Sequence, residues 1–368
     1  MSSRQDGGSG HVTMKDVALR AGVSQSTVSF VLNGLEEMRI SAETRKRVFD
    51  AAKELGYRPR AAGRPPKSAA SRVIGVMLDE IATSPFASIS LDAVQEEAWK
   101  QDMLTEIVVT RGDRSYETAV LRKWASDRID GVIYGSILTR RVSPPDALAR
   151  HEAVLLNCYD ENGRFPSVVP AERRGGEAAT DALVAEGHRR IAFITGEPWM
   201  EASAQRMEGY ERALERAGIA FDPSLVVEGN FLPSGGREAT LRLMSGPFRP
   251  DAIFCANDLT AVGCYEALKE LGERIGETIA VMGYDDQEIA QHLSPGLSTV
   301  LLPHREMGAW CVRRLTKAGG QGLGQERLEC PVILRGSHRG SSGDGKSRGD
   351  AGSGPSMPHA PEPRDGGR

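Results

Sequence analysis

Residues 12–58 read VTMKDVALRAGVSQSTVSFVLNGLEEMRISAETRKRVFDAAKELGYR, and their spacing predicts three short helices, the first two joined by a tight turn. Met14, Val17, Ala18 and Ala21 recur at helical spacing behind Thr13, a capping residue, with Asp16 in the first turn where the helix dipole favours an acid. Gly22 ends that run, as a residue able to take positive φ should. Ser24 is placed to cap a second helix that turns Val28, Val31 and Leu32 inward and leaves Gln25, Ser26, Ser29 and Phe30 outward. Asn33-Gly34 closes it, and Ser41 starts a third helix with Val48, Ala51, Ala52 and Leu55 on its buried stripe.

Three short helices with alanines in the core also describe a generic bundle. Two features favour a helix-turn-helix whose second helix enters the major groove of duplex DNA. The outward face of that helix is short and polar (Ser24, Gln25, Ser26, Thr27, Ser29), which suits phosphates and base edges. Charge also segregates. Residues 12–67 hold eleven Lys and Arg against six Asp and Glu, whereas the whole chain of 368 residues carries a formal net charge of -4. A basic module on an acidic body is the electrostatic footprint of nucleic-acid binding.

From Arg72 the pattern changes to short apolar runs alternating with amphipathic helical stretches. Strands are expected at 73–78, 106–110, 131–134, 154–156, 191–194, 225–228, 252–255 and 279–282. Helices are expected between them, at 87–100, 116–125, 174–186, 203–217, 236–244 and 259–271. Such alternation predicts parallel sheets covered by helices on both faces, with ligands bound beyond the carboxyl ends of the strands. The polar residues after those strands are therefore the candidates: Asp79, Asn157, Gly196-Glu197-Pro198-Trp199, Asn257-Asp258 and Asp285-Asp286.

Composition bounds the rest. Hydrophobic content of 40% is enough for a buried core, and no apolar run is long enough to span a membrane. Residues 1–11 are Ser/Gly-rich with no apolar signal-peptide core, so they are expected to be disordered and the protein cytoplasmic. The cysteines Cys158, Cys255, Cys264, Cys311 and Cys330 are scattered without a Cys-x-x-Cys pair and read as buried free thiols. The stretch 336–368, rich in Gly, Ser, Pro and charge, is expected to be a disordered tail. No nucleophile elbow, phosphate-binding loop, zinc-type His pair or dinucleotide fingerprint is evident, so no catalytic residue, cofactor or metal is expected.

The first module resembles the DNA-binding domain of the lactose-repressor (LacI/GalR) family of bacterial transcription regulators. The residues that carry the resemblance are Val12 to Ala18, Ala21-Gly22-Val23-Ser24, Ser26-Thr27-Val28-Ser29, Val31-Leu32-Asn33, Ser41, Glu43-Thr44-Arg45 and Gly56-Tyr57-Arg58-Pro59. The body resembles the same family's effector domain through Gly187 to Ile194, Arg206-Met207-Glu208-Gly209-Tyr210, Ala256-Asn257-Asp258, Gly283 to Asp286 and Leu297 to Val300.

The resemblance implies an N-terminal all-α helix-turn-helix domain (12–58), a basic linker (59–71) and a periplasmic-binding-protein-like α/β effector domain of two parallel-sheet subdomains (72–335). Gln25 and Ser26 would read base edges, Thr13, Ser24, Thr27, Ser29 and Asn33 would hold phosphates, and the basic linker with Arg60 and Arg64 would lie in the minor groove. Two positions depart from the family. Phe30 stands where an Arg is usual, which implies an operator that differs at that base pair. Pro66 falls where a leucine wedge is usual, and Gly63-Arg64-Pro65-Pro66 is a poor helix.

The ligand set implied is Phe86, Asn157, Arg206, Phe231, Asn257 and Asp285, with Trp199 as an added stacking residue and Glu197 a further candidate. Arg supplies a planar donor fork, Asp accepts, and Asn does both, which suits the adjacent hydroxyls of a sugar. By residue chemistry alone, Arg206 equally suits a pair with Glu208, Asp258 a helix cap, and Phe86 and Trp199 ordinary packing. The expectation is a homodimeric repressor bound to a near-palindromic operator and controlled by a small sugar-like effector. The alternative is a soluble sugar receptor with a degenerate DNA-binding module.

Overall fold

The computed structural model describes residues 14–32, 40–55, 72–79, 85–317 and 323–340. They belong to two compact units, Met1–Ser71 and Arg72–Arg368. Thr13, Asn33, Arg60, Arg64, the whole linker 59–71 and the tail beyond 340 lie outside the described residues, as do the side chains of Ser29 and Phe86.

The first unit holds α1 (Met14–Ala21), α2 (Gln25–Leu32) and α3 (Ala42–Glu54). Gly22 takes φ 67° between the first two helices, where a Cβ would be strained. Ser24 caps α2 by accepting from the Thr27 amide at 3.1 Å, and Ser41 caps α3 by accepting from the Thr44 amide at 3.2 Å. Val17, Val28 and Val48 are fully buried, and Ala18, Ala21, Ala51 and Ala52 let the helices close on them. An exposed Arg20–Glu54 pair at 2.7 Å joins α1 to α3, worth at most about 1 kcal/mol.

The second unit begins with β1 (Arg72–Leu78), α4 (Pro85–Trp99), β2 (Met103–Val109), α5 (Arg114–Asp127), β3 (Gly131–Val142), β4 (Ala153–Asp160) and β5 (Ser167–Pro170). It continues with α6 (Glu172–Ala185), β6 (Ile191–Thr195), α7 (Glu201–Arg216), β7 (Val226–Glu228), α8 (Pro233–Ser245), β8 (Ala252–Cys255), α9 (Asp258–Glu270) and β9 (Ala280–Met282). After α10 (Ile289–His292) and β10 (Thr299–Val300), the chain returns through α11 (His304–Thr316) and β11 (Gln325–Leu328) before ending on β12 (Val332–Ile333).

Two parallel sheets result, in the orders β11-β5-β4-β3-β1-β2 and β7-β6-β8-β9, with a short antiparallel β10–β12 ladder. Each sheet is covered on both faces, as continuous apolar strands require. On β1, Ile74, Val76 and Leu78 pack against α4 and α11, while Met77 faces α5. In the second sheet, Ile194, Ile253 and Cys255 pack against α8 and α9, and Phe193 and Phe254 stack at 4.5 Å on the side of α6 and α7. All five cysteines are buried and free. Among the described residues, no helix is long and apolar enough to cross a membrane.

The structure differs from the sequence reading in three ways. Strands β3 and β4 run several residues past their expected ends. Strand β5, helix α11 and the β10, β11 and β12 segments were not expected at all. The ordered body also continues past Arg335. Ser337 is fully buried: its backbone carbonyl accepts from Val281 N, and its hydroxyl donates to the Val281 carbonyl and accepts from Ser298 N. His338 is buried beside it, with its ring nitrogen 2.9 Å from Ser298 Oγ. Polar residues hold this segment in place, so it looked like tail by composition.

Candidate functional site

On α2, Gln25 and Ser26 are exposed. The hydroxyls of Ser24 and Thr27 lie 2.9 Å apart at the start of that helix, where unpaired backbone N–H groups favour an anion. Phe30 is half-buried on the same helix.

A cavity of about 200 Å³ in the body lies beyond the strand ends of both sheets. One wall is neutral and is built from the first sheet. Between the pairs Gly135↔Leu156 and Arg140↔Cys158, four residues of β3 lie opposite the single residue Asn157. Three of the four, Ile137, Leu138 and Thr139, line the cavity. Asn157 takes φ 55°, a left-handed conformation that Asn tolerates better than most residues. Its Nδ2 donates to the Ser136 and Ile137 carbonyls at 3.1 Å, and its Oδ1 accepts from Thr139 Oγ1 at 2.7 Å. Asp79, at the end of β1, braces the same bulge by accepting from Ser136 Oγ and Ile137 N. His304, at the start of α11, completes this wall; burial, reinforced by the Arg206 charge, pushes its pKa down to about 4, so its ring is neutral.

The other wall is charged. Its centre is Arg206 on α7, only 3% exposed. Nε and Nη2 donate to the two oxygens of Glu172 at 2.8 and 3.1 Å, and Nη1 donates to the Ala256 carbonyl at 2.5 Å. The guanidinium lies 3.7 Å from the centre of the Tyr284 ring, and Nη2 is 3.7 Å from Asp285 Oδ1. Burial works against the Arg206 charge, but Glu172, with Tyr284 and Asp285, outweighs it and holds the group more firmly protonated than usual. Asp285 has the opposite balance: burial drives its carboxyl well above the usual range despite Arg206.

The geometry of this wall comes from glycine. Helices α6 and α7 cross with Gly176 and Gly209 at the contact, where a Cβ on Gly209 would run into the Arg173 carbonyl and one on Gly176 into the Arg206 backbone. That approach brings Glu172 within reach of Arg206. Gly196 lies against the ring of Phe231, which leaves no room for a Cβ. Asp285, at φ 108°, and Phe231, at φ 59°, both hold conformations uncommon outside glycine, as binding sites often do.

The expected residues Asn157, Arg206, Phe231, Asn257 and Asp285 therefore line one cavity. Trp199 does not: its neighbours Glu197 and Met200 line it, while Trp199 itself is 72% exposed. Arg206 pairs with Glu172 rather than Glu208, which bonds Arg212 instead. The helix cap is Asn257, not Asp258. Asn257 Oδ1 accepts from the Thr260 amide and hydroxyl, and its Nδ2 holds the Phe231 carbonyl at 3.1 Å. Glu172, Thr139 and His304 are site residues that sequence reasoning missed. Glu172 is the first polar residue after β5, and it would have been inspected had that four-residue strand been recognised.

The chain matches two family descriptions: "Bacterial regulatory proteins, lacI family" over residues 13–60, and "Periplasmic binding protein-like domain" over residues 180–338. It is 35% identical over 329 residues to the ribose operon repressor of Escherichia coli (strain K12), covering 88% of this chain and 98% of that protein. Among solved structures, a transcriptional regulator CelR–cellobiose complex is 29% identical, with TM-score 0.58 over 89% of this chain and 100% of that one. The lac repressor dimer bound to operator and the anti-inducer ONPF is 26% identical, with TM-score 0.61 over 89% of this chain and 99% of that one.

Proposed function

The chain belongs to the lacI family of bacterial regulatory proteins, and from that premise we propose that it is a cytoplasmic repressor of carbohydrate-utilisation genes released or recruited by a sugar. It is a regulator and not an enzyme. Two copies present α2 to successive major grooves of a near-palindromic operator. Gln25 and Ser26 face the bases, while Thr13, Ser24, Thr27, Ser29 and Asn33 grip phosphates and Arg60 and Arg64 follow the minor groove. The effector lies in the body's cleft between the neutral and charged walls. It acts by binding one arrangement of that cleft more tightly than another, since equal affinity for both would shift nothing.

The observation that carries this reading is the pairing of an exposed polar recognition helix with a cleft that gathers Arg206, Asn257 and Asp285 at strand ends. The solved relatives are consistent with it: one holds cellobiose, another holds operator DNA as a dimer. The test is titration of the full-length protein onto DNA fragments from its own upstream region, with and without a sugar panel. Retarded fragments sharing a palindrome, with binding altered by one sugar, are expected. Gln25→Ala is expected to weaken the specific complex by about 1–3 kcal/mol and leave non-specific binding unchanged. Binding that shows no sequence preference would refute the reading.

A further inference from the structure

The charge arithmetic of the cleft goes beyond the general sugar reading. Among the described lining residues the cations reduce to Arg206, against the acidic side chains Glu172, Glu197 and Asp285. Arg206 is not available as an open positive charge. Its guanidinium engages both oxygens of Glu172, and that carboxylate is itself only 2% exposed. Nothing else at the described surface of the cleft supplies compensation, because the His304 ring is neutral.

We infer that Glu172 sets the charge class of the effector: by neutralising Arg206 it makes the cleft accept an uncharged monosaccharide and reject the phosphate esters of the same sugars. The inference rests on the sugar-effector reading above and specifies its ligand.

The donor and acceptor balance agrees with the charge. Of the five N–H groups of Arg206, three are committed to Glu172 and Ala256, so two remain for a ligand oxygen. Asp285 presents an acceptor 3.7 Å from the same guanidinium. A sugar hydroxyl accepts from Arg206 and donates to Asp285 at once. A phosphate ester, doubly charged near neutral pH, only accepts and would enter a low-dielectric cavity whose one guanidinium is already neutralised by Glu172. Size agrees as well. A cavity of about 200 Å³ is smaller than the roughly 300–1,000 Å³ of drug-sized sites, which suits one sugar ring.

The decisive experiment is calorimetric titration of the full-length protein with D-ribose, D-glucose and D-galactose, and with their 5- or 6-phosphates. At least one neutral sugar is expected to bind at least about 100-fold more tightly than its ester. In Glu172→Gln, the freed guanidinium is expected to narrow that ratio by about tenfold or more, through tighter binding of the ester. Should that variant fail to fold, Glu172→Asp keeps the charge but is too short to reach both guanidinium nitrogens, and a partial narrowing is expected. An ester that binds the natural protein as tightly as the sugar overturns the inference while leaving a sugar-responsive regulator intact. An unchanged ratio in a folded variant overturns the role of Glu172. If neither class binds or alters the operator complex, the sugar-effector reading falls and this inference falls with it.

Discussion

The two walls of the cleft achieve order by different means. The charged wall is held by side chains: Arg206 is gripped by Glu172, Ala256 and Tyr284, all buried. The neutral wall is held by backbone. Asn157 and Asp79 tie down the backbone of a bulge, and its Ser136 and Thr139 hydroxyls, while Ile137 and Leu138 face the cavity. The contrast teaches that electrostatic identity and shape are set separately in this site. Removing a charge from the first wall strands its partner in a low-dielectric interior, whereas replacing Asn157 on the second removes only neutral hydrogen bonds.

The largest expected effect comes from the charged wall. Arg206→Met leaves Glu172 and Asp285 buried without their partner, and the body should lose about 3–5 kcal/mol in urea unfolding together with its sugar response. A loss below 1 kcal/mol would mean that the wall is not held by its ion pair.

The walls should also respond oppositely to pH. Asp258, behind the charged wall, has its carboxyl pushed up to about 7, chiefly by burial, although Thr299 and Gln287 hydrogen-bond it. The unfolded chain titrates near 3.8, so the folded state holds this proton more tightly. That contribution is complete below about pH 4 and is lost as pH rises through about 7, for roughly 2–4 kcal/mol. His304, on the neutral wall, is displaced downward from 6.5 to about 4. Its contribution is complete above about pH 6.5 and is lost as pH falls towards 4, for roughly 2–3 kcal/mol. Between about pH 4 and 7 the two slopes oppose each other and largely cancel, so in the natural protein these groups should leave the melting temperature nearly level. Asp258→Asn should uncover a melting temperature that falls towards acid, and His304→Gln one that falls as pH rises from about 4 to 7; the same slope in both variants would erase the distinction.

A smaller effect is expected from Asn157→Ala, about 1–3 kcal/mol in the same unfolding assay, from three lost hydrogen bonds. Operator binding without sugar should persist. A loss equal to that of Arg206→Met would show that the bulge, not the ion pair, is the keystone. The smallest effect is expected at Trp199. Its replacement by Ala should change stability by no more than about 0.5 kcal/mol and leave sugar affinity alone, because the ring is exposed and outside the cavity. A tenfold loss of affinity would add Trp199 to the site.

The charged wall was the more legible of the two in the sequence. Arg206 was reached through the family resemblance carried by Arg206 to Tyr210, while Asn257 and Asp285 also follow apolar strand runs, so for those two residue type and position agreed. Glu172 was hidden because β5 is four residues long and ends in Pro170, which offers no periodicity to read. The neutral wall was legible only as Asn157. That this side chain braces four residues opposite itself depends on a register shift, a property of two strands together that no single run of sequence expresses. The buried Ser337 escaped for a related reason: its place is set by hydrogen bonds to Val281 and Ser298, whereas apolar patterning detects only burial by hydrophobicity.

The bulge on β3 has a consequence for how such a protein diverges. The strand leaves its pairing at Gly135 and regains it at Arg140, so the excursion between them is absorbed locally and the sheet beyond is undisturbed. After gene duplication, substitutions or small length changes in Ser136–Thr139 can remodel the contour met by a ligand without resetting the fold. Drift in that segment is therefore a local route from one sugar contour to another, while a change of ligand charge would begin at residue 172, in the buried pair with Arg206.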